Sequence, residues 1–369
     1  MVEIIAQNYA EKSITSESIP FIGGGKICSS GRLADRIPWI DISKGILILC
    51  LVYGHHKLFA MRSGYEDGVT VFIQHSMRFY AAFFMQTFFI ITGLCSSFTT
   101  QFPKFVWKNI KTLLIPAALL IVLGSYVWDI FSGTRLSIRH FAELMTWVNQ
   151  GGPWFIMALF WAKILYWPLN KFCNYKKQFV FVTLLYFVGL ALNQWDFFPN
   201  YMYHRHTLLM MPYLLLGAVL RNYMPIMEKY LSKLAIIGFA VLMLQTLSCW
   251  LFGTPFPAHD YNIGISFKSF PIHIVNVLLG TCFIFGLSKA IGKCSFLQTM
   301  GKGTLLVYLL DSTVENISLS LCSQLYNQSS IASCILFHGV SFVLSIAIFY
   351  MLIRIIYNTK YLSWIVGKW

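Results

Sequence analysis

Residues Arg36–His56 read RIPWIDISKGILILCLVYGHH. A charged entry segment precedes an apolar run that, wound as a helix, crosses most of a bilayer, and a histidine pair closes it. At about 100° per residue, Asp41, Lys44 and His55 fall within a stripe roughly 60° wide, whereas His56 points well away from Lys44. One histidine therefore shares a face with the charges.

The rest of the chain has the same character. Of 369 residues, 57% are hydrophobic and 11% charged, far from the balance of a soluble domain, so a polytopic membrane protein is expected. Residues 1–35 are polar and lack an apolar segment before a small-residue cleavage site, which predicts a cytoplasmic tail and not a signal peptide. A single membrane domain over 36–358 and a short cytoplasmic tail over 359–369 complete the expected organisation. The net charge of +14 resides largely in short loops between apolar runs, a topology pattern and not a nucleic-acid footprint. The nine cysteines have no CxxC or Cys/His ligand spacing, so they read as small hydrophobes, with no metal site expected.

Runs of roughly 17 to 25 mostly apolar residues predict an all-α bundle of about ten transmembrane helices. They lie near 39–59, 77–98, 110–131, 152–169, 178–194, 204–222, 231–252, 270–291, 303–324 and 331–357. Lysines and arginines concentrate after the even-numbered runs, as in Lys104, Lys108 and Lys111 or Lys171, Lys176 and Lys177, which predicts both termini in the cytoplasm. On that topology all nine histidines fall in outer loops or outer helix halves. A titratable chamber opening outward, opposite a basic cytoplasmic surface, suits a protein that handles different ligands on its two sides.

The entry stretch, with its Arg, Asp-x-x-Lys-Gly and Gly-His, resembles the first helix of the membrane-bound acyltransferase 3 family, which includes bacterial O-acetyltransferases of surface sugars. Later segments follow the family's order. MQTFFIITGL (Met85 to Leu94), KNIKTLLIP (Lys108 to Pro116), GGPWFIMALF (Gly151 to Phe160), PYLLLGAVL (Pro212 to Leu220) and MGKGTLLVYLLD (Met300 to Asp311) are each similar to a family segment. This chain departs from the pattern at Phe84 and Asp311, where histidine is common, and has lysine at both positions of the basic pair. The resemblance implies transfer of an acyl group, most simply acetyl from acetyl-CoA as co-substrate, to a hydroxyl of a cell-surface or exported carbohydrate. It also implies a multi-pass protein of the bacterial inner membrane with no bound cofactor.

Such transfer needs a base within reach of the hydroxyl. His55 follows the Gly of the family signature and is the expected base, with an unperturbed pKa of about 6.5 that lets a neutral ring accept a proton. Asp41 lies about 21 Å from it along a helix, so Arg36, Asp41 and Lys44 are expected to bind or gate the donor instead of touching the reacting carbon. Lys108 and Lys111, at i and i+3, present cations suited to coenzyme A phosphates, although topology accounts for them too. Asp311 and Glu315, at i and i+4 near mid-membrane, suit either a cavity or a hydrogen-bond network. His75 with Arg78, His273 with Asn276, and Trp154 are the expected acceptor-side polar and stacking groups. Intramembrane acids also suit proton coupling, so a transporter or flippase of a polar or lipid-linked sugar is the alternative.

Overall fold

Pro38 opens the first helix in the computed structural model, which describes residues 37–136, 153–195, 200–252 and 266–367. Helix α1 spans Pro38–Arg62, with Asp41 in its first turn and Arg62 in its last, where each complements the helix dipole. The Asp67 side chain caps α2 (Gly68–Ala81) and Thr70 returns the hydrogen bond. A turn at residues 82–83 interrupts the helix before α3 (Phe84–Cys95). α4 (Phe102–Asn109) runs through a π turn, Ile110–Leu114, into α5 (Ile115–Ser132). The π turn sits just before Pro116, which has no N–H to continue regular α pairing. There follow α6 (Trp154–Phe172), α7 (Tyr175–Trp195), α8 (His204–Leu220), α9 (Met224–Phe252), α10 (Phe270–Ile291), α11 (Ser295–Lys302), α12 (Thr304–Cys322) and α13 (Ile331–Asn358). Among the described residues there is no strand.

Among the described residues, seven stretches are long and apolar enough to cross a membrane: Gly68–Cys95, Phe102–Ser132, Tyr175–Trp195, His204–Leu251, Phe270–Ile291, Thr304–Leu325 and Ile331–Asn358. Their outward faces are apolar, with Phe179, Ile236, Leu244 and Val343 among many large hydrophobic side chains left exposed, as a lipid-facing surface requires. Two of these helices start well before their apolar runs. The second was expected near 77 and begins at Gly68, because Asp67 caps it; the third was expected near 110 and begins at Phe102, ahead of Pro103. Lys104 and Lys108 consequently lie on a helix and not in a loop. The eight-residue α11, too short to show as an apolar run, was not anticipated.

The site is positioned by α1, which packs against α11, α12, α10, α2 and α3. Its approach to α11 is backbone to backbone: a Cβ on Gly45 would meet the Leu297 carbonyl, and one on Gly301 would meet the Asp41 carbonyl. The turn Ser363–Val366 packs on α5 and buries Val366.

Candidate functional site

Adjacent histidines on α1 meet two carboxylates one turn apart on α12. His55 Nδ1 bonds Asp311 Oδ2, and His56 Nδ1 lies 2.8 Å from Glu315 Oε2. The pairings follow from periodicity: residues at i and i+4 share a face of α12, and that face looks onto the end of α1 where the chain presents two successive polar side chains. The two pairs differ in access. Asp311, Glu315 and His56 are buried, whereas 32% of the His55 side chain remains accessible. A histidine whose Nδ1–H is held by a buried carboxylate keeps a lone pair on Nε2, the arrangement of a positioned base. The edge of the His55 ring also packs on Phe59, whose face carries the Arg62 guanidinium at 5.9 Å.

His56 leads further. Its Nε2 lies 3.1 Å from His338 Nδ1 on α13, and His338 Nε2 lies 3.0 Å from Asp67 Oδ2 in the turn between α1 and α2. His338 is buried, and Asp67 stands among exposed Ser63, Gly64, Glu66 and Gly68. Burial pushes the Asp67 carboxyl up, but hydrogen bonding from the Thr70 amide and the charge and hydrogen bond of His338 more than offset it, leaving it below the ordinary carboxylate value. Glu315, His56, His338 and Asp67 thus join four elements in one hydrogen-bonded row.

Apart from Asp311 and Glu315, the expected site residues among those described make no contact with His55. Arg36 lies outside the described residues. Asp41 and Lys44 pair at 3.7 Å; Asp41 is buried, so the pair is not a solvated one. Lys108 is exposed on α4, and Lys111 in the π turn places its ammonium over the Trp107 ring at 5.3 Å. The packing adds Lys163 of α6, 5.9 Å from the Phe105 ring and within electrostatic reach of Lys108. Trp154 stacks obliquely on His206, with ring centroids 4.9 Å apart. His75 and Arg78 are half-buried on α2. His273 is fully buried and bonds Gln86 of α3 at 3.2 Å, while Asn276, one turn on, is buried beside it.

Sequence reasoning missed His56, His338, Asp67 and Lys163 as members of polar clusters. A usable signal existed for two of them: His338 in ILFHGVSF and Lys163 in FWAKILY each interrupt an apolar run, where a polar group needs a partner. Nothing local marks Asp67 beyond its helix cap.

A sequence model described as an acyltransferase domain, that of the acyltransferase 3 family, matches residues 37–354. No curated protein and no solved structure matches the chain.

Proposed function

The chain belongs to the acyltransferase 3 family, and from that premise we propose that this multi-pass membrane acyltransferase moves an acetyl group from acetyl-CoA to a carbohydrate hydroxyl, with His55 as general base. The observation that carries the reading is the His55–Asp311 pair. The buried Asp311 carboxylate accepts the Nδ1–H of a half-accessible His55, so the Nε2 lone pair is free to take the proton of an attacking hydroxyl. The oxygen then attacks the thioester carbonyl, the C–S bond breaks and coenzyme A leaves as the thiolate, which takes up a proton.

Donor and acceptor approach from opposite faces in this reading. Lys108, Lys111 and Lys163 form a cationic group suited to phosphates, and Trp154 beside His206 offers an aromatic face suited to a sugar ring. The reading takes ten spans, counting α1 and α6 with the seven apolar stretches and dividing His204–Leu251 in two at the turn Arg221–Tyr223. The lysine-rich segments then lie on the cytoplasmic side together with both termini, in the inner membrane of a bacterium.

The test is acetyl transfer by the purified protein in nanodiscs, followed by mass spectrometry of candidate glycans. Wild type should add an acetyl increment that His55→Ala loses at equal folded yield. Full-rate transfer by that variant, or sugar binding and movement without any transfer, removes the reading.

A further inference from the structure

The row of groups behind His55 has a direction that its fixed end imposes. Asp67 Oδ1 accepts from the amides of Val69 (2.8 Å) and Thr70 (3.0 Å) at the start of α2, an environment that favours an ionised carboxylate. Its other oxygen therefore accepts from His338 Nε2. A neutral His338 then turns its Nδ1 lone pair toward His56, so His56 donates from Nε2 and turns its own Nδ1 lone pair toward Glu315 Oε2. Two lone pairs do not bond, so one proton must lie between Glu315 and His56. Every hydrogen in the row points from Glu315 toward Asp67.

We propose that Glu315, His56, His338 and Asp67 form a proton path that carries the proton taken up by His55 out to the 63–67 turn. The inference rests on His55 being the base. Asp311 and Glu315 lie one turn apart on α12, about 5–6 Å between their Cβ atoms, and each keeps one buried oxygen, Asp311 Oδ1 and Glu315 Oε1, outside the two histidine bonds, with the Ser345 hydroxyl of α13 beside Glu315. These two oxygens are the hand-over point. When Nε2 of His55 gains the hydroxyl proton, its Nδ1 proton passes to Asp311 Oδ2, and rotation of the Asp311 carboxyl presents that proton to Glu315 Oε1. Glu315 receives a proton on Oε1 and releases one from Oε2 to His56 Nδ1. His56 and His338 each release from Nε2 what they receive on Nδ1, and Asp67 delivers the last proton to solvent.

Atoms balance over a turnover. The acceptor O–H and the thioester C–S bonds break, and the ester C–O bond forms. The thiolate takes a proton from solvent on the donor side, while the hydroxyl's proton leaves at the 63–67 face. The charged and titratable groups facing this path are Arg62 on α1, Cys334 on α13 and Tyr326 beside Asp67, and the six members of the two clusters: His55, His56, Asp67, Asp311, Glu315 and His338.

Three substitutions interrupt the path with small structural change. Glu315→Gln is isosteric, His338→Gln keeps a polar side chain, and Asp67→Asn keeps a helix-capping residue. The protein is reconstituted in liposomes with a pH dye on the 63–67 side, acetyl-CoA on the other, and simple alkyl glucosides as acceptor probes. Wild type should release one proton at the 63–67 face per ester formed. Each variant should lose that release and lower kcat roughly ten- to hundred-fold, less than the loss of the base itself, with KM for acetyl-CoA unchanged and an altered kcat–pH profile.

Wild-type kcat, pH profile and proton release in His338→Gln and Asp67→Asn, alongside an inactive His55→Ala, would overturn the path and leave the base standing. An active His55→Ala removes the base instead. Nitrogen NMR of the full chain in nanodiscs decides the wiring without any acceptor. His56 and His338 should both be neutral with hydrogen on Nε2, and hydrogen on Nδ1 of either overturns the proposal.

Discussion

At the scale of the residue, the proposed chemistry turns on what a carboxylate does to a histidine beside it. In that reading the buried Asp311 fixes the His55 tautomer before it takes the Nδ1 proton. Asp311→Asn should therefore leave the fold intact yet cut kcat by a factor of roughly 10²–10⁴, because an amide offers His55 Nδ1 a hydrogen and selects the wrong tautomer; acetyl transfer by the purified variant measures it. Asp67 gives a pH signature of another kind. Its folded pKa lies below the unfolded value of about 3.9, so its stabilising contribution is complete above that value and is lost as pH falls through the folded one. Thermal unfolding in detergent should show wild type more stable than Asp67→Asn at pH 6, with the gap closing below about pH 4.

At the scale of the element, glycines decide which helices touch. α3 and α8 cross at a reciprocal contact where a Cβ on Gly93 would meet the Leu214 carbonyl and one on Gly217 the Ile90 carbonyl. Close approach of this kind is how helices associate in lipid, where no hydrophobic driving force separates one apolar surface from another. Gly217→Ala should cost about 1–3 kcal/mol through forced separation, read as a lowered melting temperature in nanodiscs, whereas Gly339→Ala, which faces open space, should change little. The π turn of Ile110–Leu114 carries Lys111, and α6 brings Lys163 toward Lys108. If these cations hold the donor, Lys108→Gln and Lys163→Gln should each raise KM for acetyl-CoA roughly tenfold, ~1.4 kcal/mol, with insertion and folded yield unchanged. A topology determinant would behave the other way round.

At the scale of the whole molecule, a chemical step shared between two aqueous faces needs a fold whose two ends lie on opposite sides of a bilayer. Ser63 stands at the histidine end of α1 and Lys176 in a lysine-rich segment. In a cysteine-free background, Ser63→Cys should react with an impermeant maleimide added to intact cells, and Lys176→Cys only after permeabilisation. Labelling of both from one side would overturn the two-sided arrangement.

The sequence by itself determined the all-helical class, the apolar stretches and the family, because burial in lipid writes itself as run length, and the first-helix signature is contiguous. It also marked His55, Asp311 and Glu315, since a polar side chain in an apolar run is costly wherever it faces. Only the tertiary structure decided which carboxylate each histidine meets, because α1 and α12 lie more than two hundred residues apart and no local period links them. His56 shows the limit most plainly. Its helical phase turns it away from Lys44, and it takes the packing of α12 and α13 to place Glu315 on one of its nitrogens and His338 on the other.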